Sequence, residues 1–293
     1  MELGLVGLGK MGNNMRERLR RAGLTVVGYD RNPELTDVAS LAEMVAALAA
    51  PRVVWVMLPI QVVDQVIDEL AGLLGEGDLV IDGGNTKWTA DSRHAQSLAE
   101  KGIHFLDCGV SGGVWGLQNG YALMVGGAEA DVAMAQPVFD ALKPAGDYGF
   151  VHAGEIGAGH FAKMVHNGIE YGLMQAYAEG WELLEAAGQV TNVPAVFDSW
   201  REGTVIRSWL LDLMVRALDD DPHLDRIEGY AADSGEGRWT VNAAVELGVP
   251  VPTMAAALFA RFTSQQDDSP SMKMVAAMRN QFGGHAVKAD HGH

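Results

Sequence analysis

The feature that most constrains the fold of this chain is a glycine-rich segment near its start. An apolar run, residues 3–6, leads into Gly7-Leu8-Gly9-Lys10-Met11-Gly12. Met15 and Leu19 continue the four-residue spacing of Met11, which is typical of the buried stripe of a helix. Glycines in this pattern let the backbone turn tightly and approach a pyrophosphate at the helix N-terminus. The segment therefore predicts a dinucleotide-binding loop between a strand and a helix.

Strand and helix patterns alternate through the first half of the chain. Residues 53–58 form a continuous apolar run that Pro59 closes, as is typical of a strand buried on both faces of a parallel sheet. Further strands are predicted over residues 25–29, 79–82, 103–107 and 121–125, and further helices over 61–74 and 88–101. This alternation predicts an α/β fold, a Rossmann-type doubly wound parallel sheet that binds the dinucleotide, over residues 1–152.

The strand pattern stops near residue 152, and residues 153–293 predict an all-helical C-terminal domain for substrate binding and oligomerisation. Residues 157–187 contain no proline and predict one helix of about 46 Å. Further helices are predicted over residues 193–219, 239–247, 254–263 and 272–279, and an irregular tail over 286–293.

Charge and cysteine content exclude several classes of protein. The chain has 38 acidic and 21 basic residues, a formal net charge of −17, which disfavours nucleic acids and anionic membranes as partners. The single cysteine, Cys108, excludes an intrachain disulfide and a multi-cysteine zinc site, and no histidine or carboxylate spacing indicates a metal. Since no apolar run approaches the roughly 18 residues of a membrane span and no signal peptide is evident, we expect a cytoplasmic protein.

Five different polar side chains lie on one face of the predicted long helix. At about 100° per residue they share an arc of about 140°. They are Lys163, His166, Asn167, Glu170 and Tyr171. A lysine near other cations can act as a general base and a glutamic acid as a general acid, so this face predicts a catalytic site. An exposed polar stripe is the alternative.

Two glycine-containing loops follow predicted strands at the carboxyl edge of the sheet. The first ends in Asn85, after Asp82-Gly83-Gly84, and the second is Ser111-Gly112-Gly113. Ligands of open α/β sheets bind outside these strand ends, where Asn85 and Ser111 can bond hydroxyls or a carboxylate. Simple turns are the alternative.

The second predicted strand ends at Asp30, 18 residues after Gly12. A carboxylate there accepts hydrogen bonds from ribose hydroxyls and repels a 2′-phosphate, which favours NAD. Arg31 can pair with that phosphate, so NADP remains an alternative cofactor. The candidate cofactor-binding residues are Gly7, Leu8, Gly9, Lys10, Met11, Gly12, Asp30, Arg31, Met57, Leu58 and Asn85.

Six stretches resemble the 6-phosphogluconate dehydrogenase family. They are residues 4–12, 82–86, 109–113, 159–172, 205–208 and 279–285. The run from Lys163 to Tyr171 is the most specific, since related 3-hydroxyacid dehydrogenases share the fold, the loop and the lysine but not that whole run. The helical domain is short, as in the short-chain bacterial branch of the family.

The resemblance implies oxidation of the 3-hydroxyl of 6-phosphogluconate and loss of CO2, giving ribulose 5-phosphate in the pentose phosphate pathway without a metal. Lys163 would take the hydroxyl proton and return one to the carbonyl oxygen, and Glu170 would protonate the carbon that lost CO2. His166 and Asn167 complete the implied catalytic set. The implied substrate-binding residues are Asn85, Ser111, Gly112, Gly113, His166, Asn167, Glu170, Tyr171, Arg207, Arg279 and His285.

The resemblance assigns the phosphate to Tyr171 and Arg207. It also implies a homo-oligomer, a dimer or a tetramer, because the C-terminal arginine and histidine of the family, here Arg279 and His285, enter a partner's site. Where longer members carry a phosphate-binding lysine and threonine, this chain has Ser234-Gly235-Glu236-Gly237, which removes a cation and adds an anion.

Two other functions remain as alternatives. A non-decarboxylating dehydrogenase of the 3-hydroxyisobutyrate type would need Lys163. It would not need the complete set of Glu170, Arg207, Arg279 and His285. A dinucleotide sensor without turnover would need only the glycine-rich loop.

Overall fold

The computed structural model describes residues 1–288; residues 289–293, the end of the predicted tail, lie outside the described part. The chain divides into two compact units, Met1–His166 and a second that begins at Asn167. The strands of the first unit are β1 (Glu2–Val6), β2 (Thr25–Tyr29), β3 (Val53–Val56), β4 (Leu79–Asp82), β5 (His104–Ser111), β6 (Ala122–Gly126) and β7 (Phe150–Gly154). Its helices are α1 (Lys10–Arg21), α2 (Leu41–Ala46), α3 (Ile60–Leu73), α4 (Asp91–Ala99), α5 (Gly116–Asn119) and α6 (Glu129–Leu142).

The seven strands form one sheet in the order β2-β1-β3-β4-β5-β6-β7. All neighbouring strands are parallel except β5 and β6, which are antiparallel. Ser111 at the end of β5 pairs with Ala122 at the start of β6, so the chain reverses over a short connection. The predicted α/β class and the helical C-terminal region are confirmed, and the sheet departs from a purely parallel arrangement at this one pair.

Strand β3 shows how the sheet is buried on both faces. Val53 and Trp55 belong to one apolar layer, which α1 and α6 cover. Val54 and Val56 belong to the other layer, which α2 and α3 cover. All four side chains are buried, as the continuous apolar run predicts.

The sequence patterns do not predict β7, α2 or α6. Strand β7 is largely exposed and lacks the apolar run of the central strands. Helix α2 has only six residues, and α6 contains Pro137. Proline within a helix removes a backbone hydrogen bond, so a segment with an internal proline does not have a typical helix pattern.

Helix α7 (Ala158–Ala186) contains the boundary between the units. The other helices of the second unit are α8 (Val193–Ser199), α9 (Trp209–Asp220), α10 (Glu236–Leu247), α11 (Pro252–Ser264) and α12 (Pro270–Gly283). Tyr177 and Trp181 pack against Phe197, Leu211 and Val215, which joins α7 to α8 and α9. Within the described part of the chain, no helix is long and apolar enough to cross a bilayer.

The prediction of one helix over residues 193–219 is wrong, because α8 and α9 are separate helices. The Ser208 Oγ accepts a 3.0 Å hydrogen bond from the Leu211 N–H, so Ser208 caps α9 and the helix begins at Trp209. Arg207, predicted to lie on a helix, therefore lies in the connection before that cap.

Candidate active site

The glycine-rich segment connects β1 to α1, which begins at Lys10. A Cβ at position 12 would overlap the carbonyl oxygen of Gly7, so only glycine lets the helix pack this closely on the loop. Asp30 follows β2, and its Oδ2 accepts a 2.6 Å hydrogen bond from the Leu8 N–H. The carboxylate thereby holds the loop against the end of β2.

The space beside Gly9 of this loop is open. Among the described residues, no atom beyond the immediate neighbours lies within 4 Å of a Cβ built on Gly9. Gly9 is the N-cap of α1 and brings no side chain to cover the first N–H groups of the helix. Met57 and Leu58, after β3, lie beside Gly7. Open space at a helix N-terminus suits a pyrophosphate, and the Asp30 carboxylate beside it suits a ribose.

Two alanine variants separate packing from cofactor binding. Gly12→Ala is expected to lower the free energy of unfolding by about 1–3 kcal/mol, because the new methyl overlaps the Gly7 carbonyl. Gly9→Ala is expected to cost less than about 1 kcal/mol but to weaken NAD binding about tenfold, because its methyl enters the open space. Urea unfolding and calorimetric titration with NAD measure both quantities. NAD binding at full affinity by Gly9→Ala would contradict the assignment of this space.

Four predicted site residues come together at the carboxyl ends of β4 and β5. The Lys163 Nζ donates a 3.0 Å hydrogen bond to Oδ1 of Asn85, which follows β4. The Ser111 Oγ, at the end of β5, lies 3.5 Å from Nε2 of His166. A Cβ at Gly109 would overlap the Cβ of Lys163, so this glycine lets α7 approach β5. The arrangement brings a half-buried amine, an imidazole, an amide and a hydroxyl to one sheet edge.

Buried carboxylates fix the first turn of α7. Asp107 of β5 accepts hydrogen bonds from the backbone N–H groups of Gly157, at 2.6 Å, and His160, at 2.8 Å. Both oxygens of Asp91 contact Nδ1 of His160, at 2.9 and 3.0 Å. His160 lies one turn before Lys163, so these contacts set the position of the helix that carries the lysine.

Asp82 orders the loop that contains Asn85, the hydrogen-bond partner of Lys163. It accepts hydrogen bonds from the Gly84 N–H, at 2.9 Å, and the Thr86 hydroxyl, at 2.7 Å, on either side of Asn85. The supporting role of Asp91, Asp107 and His160 could not be predicted from the sequence, because it depends on their burial. Ligand atoms of these three residues lie within 4.8 Å of one another. Since donors of the chain already bond these oxygens, we assign the group a positioning role.

The His160 imidazole is expected to make folding depend on pH. Burial lowers the pKa of His160, but the hydrogen bond and charge of Asp91, with the charges of Asp82 and Asp107, outweigh it and raise the pKa from 6.5 to about 9. The imidazolium therefore stabilises the fold fully below pH 6.5, and this contribution is lost as the pH rises through about 9. Between pH 7 and 10 the protein should lose on the order of 2–3 kcal/mol more than the His160→Gln variant. Urea unfolding at the two pH values checks this, and equal losses would contradict it.

Tyr171 in the second unit has a hydroxyl and a cation beside it. Its hydroxyl lies 3.2 Å from the Ser234 Oγ. The guanidinium carbon of Arg261, on α11, lies 3.5 Å from the centre of the tyrosine ring. Such stacking holds a cation next to the ring. Arg261 was not predicted as a site residue, because it follows Tyr171 by 90 residues in a predicted apolar helix.

The two departures from the family pattern contact predicted substrate-binding residues. Ser234 bonds Tyr171, and the Glu236 Oε1 accepts a 3.2 Å hydrogen bond from the Asn167 Nδ2. Glu236 is buried at the start of α10. Glu170, predicted to be the acid, lies one turn after Asn167 on α7 and is half-buried.

The three remaining predicted cations lie elsewhere in the second unit. Arg207 pairs with the exposed Glu202 at 2.8 Å. Arg279 is exposed on α12, and the Asn280 Nδ2 donates a 2.9 Å hydrogen bond to the carbonyl of His285 just beyond that helix. Their predicted role in a partner's site stays a prediction, because the structure contains one copy of the chain.

Two family models match nearly the whole chain. The NAD binding domain of 6-phosphogluconate dehydrogenase matches residues 2–157, and the C-terminal domain of 6-phosphogluconate dehydrogenase matches residues 159–291. The Bacillus subtilis protein named "Putative 6-phosphogluconate dehydrogenase YqeC" is 42% identical over 297 residues, which cover 98% of this chain and 99% of that protein. The NAD(+)-dependent, decarboxylating 6-phosphogluconate dehydrogenase of Haloferax volcanii is 39% identical over 298 residues, 98% of each chain.

Two solved structures share the fold. The 6-phosphogluconate dehydrogenase of Plasmodium falciparum, solved in its apo form, with NADP+ and with 6-phosphogluconate, superposes with a TM-score of 0.83 at 28% identity, over 100% of this chain and 67% of that one. A 3-hydroxyisobutyrate dehydrogenase of Mycobacterium tuberculosis, with L-serine, superposes with a TM-score of 0.71 at 25% identity, over 95% and 99%. Both the TM-score and the sequence identity are higher for the 6-phosphogluconate dehydrogenase than for the 3-hydroxyisobutyrate dehydrogenase.

Proposed function

The chain belongs to the 6-phosphogluconate dehydrogenase family, and we propose that it oxidises and decarboxylates 6-phosphogluconate to ribulose 5-phosphate and CO2 with NAD(P)+. The observation that carries the proposal is the Lys163 amine bonded to Asn85, with His166 beside Ser111, at the carboxyl edge of the sheet. The similarity over nearly the full length to a relative that is named as decarboxylating supports oxidation followed by decarboxylation, in preference to oxidation alone.

The proposed chemistry needs one base and one acid. Bound NAD(P)+ supplies the acceptor for the hydride that leaves carbon 3. Lys163 takes the proton of the 3-hydroxyl as the carbonyl forms. The bond from carbon 2 to the carboxylate then breaks, its electron pair moves towards the carbonyl oxygen, and Lys163 returns its proton to that oxygen. Glu170 then protonates carbon 2 while Lys163 takes the proton back from the enol oxygen, so that the carbonyl of ribulose 5-phosphate forms. A β-keto acid loses CO2 readily once the developing oxyanion is stabilised, so we assign the reaction no metal.

We assign the rest of the substrate to further polar groups of the chain. Asn85, His166 and Asn167, with Ser111, Gly112 and Gly113, would orient the sugar acid. Tyr171 would bind the phosphate together with Arg261, whose stacked guanidinium supplies a cation that the Ser234–Glu236 segment lacks. Arg207 enters this set by resemblance, and its bond to Glu202 would have to open for it to bind phosphate.

We propose NAD as the preferred cofactor because of Asp30. Asp30→Asn keeps an oxygen for the Leu8 N–H but removes the charge that repels a 2′-phosphate. The ratio of kcat/KM for NADP to that for NAD should rise about tenfold, equivalent to about 1.4 kcal/mol. Adding Arg31→Ala to this variant should reverse the gain, because Arg31 is an exposed cation next to residue 30 that can pair with the phosphate. A wild-type preference for NADP would contradict the role of Asp30.

The proposed function is tested by comparing substrates in steady state. With either cofactor, kcat/KM should be at least about 100-fold higher for 6-phosphogluconate than for gluconate, because gluconate leaves the phosphate-binding cation unpaired. It should also exceed the value for 3-hydroxyisobutyrate. Preference for 3-hydroxyisobutyrate would favour the non-decarboxylating alternative, to which the structural similarity is weaker.

A further inference from the structure

Glu236 is a buried carboxylate to which the proposed function gives no role. It is the first residue of α10 and is only 6% exposed. Burial of a carboxylate costs free energy unless hydrogen bonds and favourable charges offset the cost. The N-terminus of a helix attracts negative charge, so the first turn of α10 is a favourable place for this anion. Glu236 is therefore placed to act as an acceptor of hydrogen bonds.

Two glycines bring α10 close to α7 at this point. A Cβ at Gly237, next to Glu236, would overlap the ring of Tyr171 on α7. A Cβ at Gly168 on α7 would lie 2.7 Å from the Cγ2 of Thr240 on α10. The place of Glu236 beside α7 is therefore set by the close packing of two helices and not by a loop.

The contact between Glu236 and Asn167 defines the orientation of the asparagine amide. The Glu236 Oε1 accepts a 3.2 Å hydrogen bond from the Asn167 Nδ2. An ionised carboxylate has no proton to donate, so only the NH2 end of an amide can bond it. With Nδ2 turned towards Glu236, the Oδ1 of Asn167 is turned the other way. Asn167 is half-buried and remains accessible to a ligand, to which it offers this oxygen as an acceptor.

We propose that Glu236 is a positioning residue, which orients Asn167 so that its amide oxygen accepts a hydrogen bond from a substrate hydroxyl. An amide oxygen cannot bond an ionised carboxylate or a phosphate dianion, because these groups also only accept. The charge of Glu236 further opposes an anionic group at this place. The inference rests on the proposed function, which assigns Asn167 to the substrate, and it restricts that contact to the hydroxyl-bearing part of a sugar acid. The phosphate is left to Tyr171, one turn further along α7, and to Arg261, which stacks on it.

Two substitutions of Glu236 separate its acceptor oxygen from its charge. Glu236→Gln removes the charge but keeps an oxygen for the Asn167 Nδ2, whereas Glu236→Met removes both with little change in side-chain length. The value of kcat/KM for 6-phosphogluconate should stay within about threefold of wild type in Glu236→Gln. It should fall about tenfold in Glu236→Met, because the amide of Asn167 is no longer held. Glu246→Met, the same change at an exposed position of α10, should leave kcat/KM unchanged.

A double-mutant cycle shows whether Glu236 acts through Asn167. In a chain that carries Asn167→Ala, adding Glu236→Met should change kcat/KM by less than about twofold, because no amide remains to be oriented. A residue that only supports the fold would lower activity equally in both backgrounds. Calorimetric titration with 6-phosphogluconate in the absence of cofactor gives the same comparison as a ratio of Kd values, without turnover.

Two results would overturn the proposal. The first is an equal rise of kcat/KM in Glu236→Gln and Glu236→Met, which would mean that Glu236 acts only as a charge that repels the phosphate. The second is a full tenfold loss from Glu236→Met in the Asn167→Ala background. If the wild type oxidised a different hydroxy acid, the proposed function would fail. Dependence of the Glu236→Met loss on Asn167, measured with that acid, would still support the role of Glu236.

Discussion

Replacing Lys163 with methionine is expected to lower kcat with 6-phosphogluconate by about 10³-fold or more, while the Kd for NAD stays within about twofold. Methionine retains much of the length and apolar contact of the lysine side chain but cannot accept or return a proton. The amine lies at the Asn85 loop, whereas the open space for the pyrophosphate lies at Gly9. Stopped-flow measurement of cofactor reduction gives the rate, and calorimetric titration gives the Kd.

Lys143→Met is the matched control. Lys143 donates to the backbone carbonyl of Gly146 in the loop after α6, so its loss removes a lysine from the same unit without touching the site. This variant should keep kcat within about twofold. Retention of more than about a tenth of the wild-type rate by Lys163→Met would remove Lys163 from the role of base.

Glu170→Gln is expected to have the second largest effect, about a 10²- to 10³-fold loss of kcat, with KM for 6-phosphogluconate changed by less than about fivefold. Glutamine retains the shape of the side chain but has no acidic proton for carbon 2. In D2O, the wild type should place deuterium on carbon 1 of ribulose 5-phosphate with one configuration. The variant should do so slowly and with mixed configuration, which NMR of the product reveals.

Glu246→Gln, on the exposed side of α10, is the control and should behave as wild type. If Glu170→Gln kept both the rate and the configuration, carbon protonation would not depend on this residue. That result would favour the 3-hydroxyisobutyrate type of reaction, which needs Lys163 alone.

The elements predicted well were those with a strong local pattern. The four consecutive apolar residues of β3 required burial on both faces, and the glycine-rich segment required a tight strand-to-helix connection. The direction of β6 could not be predicted, because an apolar strand has the same pattern whether it runs parallel or antiparallel. The start of α9 is marked by one hydrogen bond, in which Ser208 caps the helix. The helical spacing of apolar residues continues across this position, so the sequence pattern predicts one helix instead of two.

Contacts between distant residues explain what the sequence missed in the candidate site. Lys163 and Asn85 are 78 residues apart, yet both were found because each belongs to a recognisable local pattern. Arg261 belongs to no such pattern, and only the folded chain places its guanidinium on Tyr171. The pair of Asp91 and His160 was missed for a different reason, since burial gives it its properties and burial is a property of the fold.

The most direct test of the proposed reaction is the ratio of CO2 released to NAD(P)H formed from 6-phosphogluconate labelled at carbon 1. If the chain is a decarboxylating 6-phosphogluconate dehydrogenase, one labelled CO2 appears for each NAD(P)H, and the Lys163→Met variant gives neither. Formation of NAD(P)H without labelled CO2 would contradict the proposal and identify a dehydrogenase that stops at the keto acid.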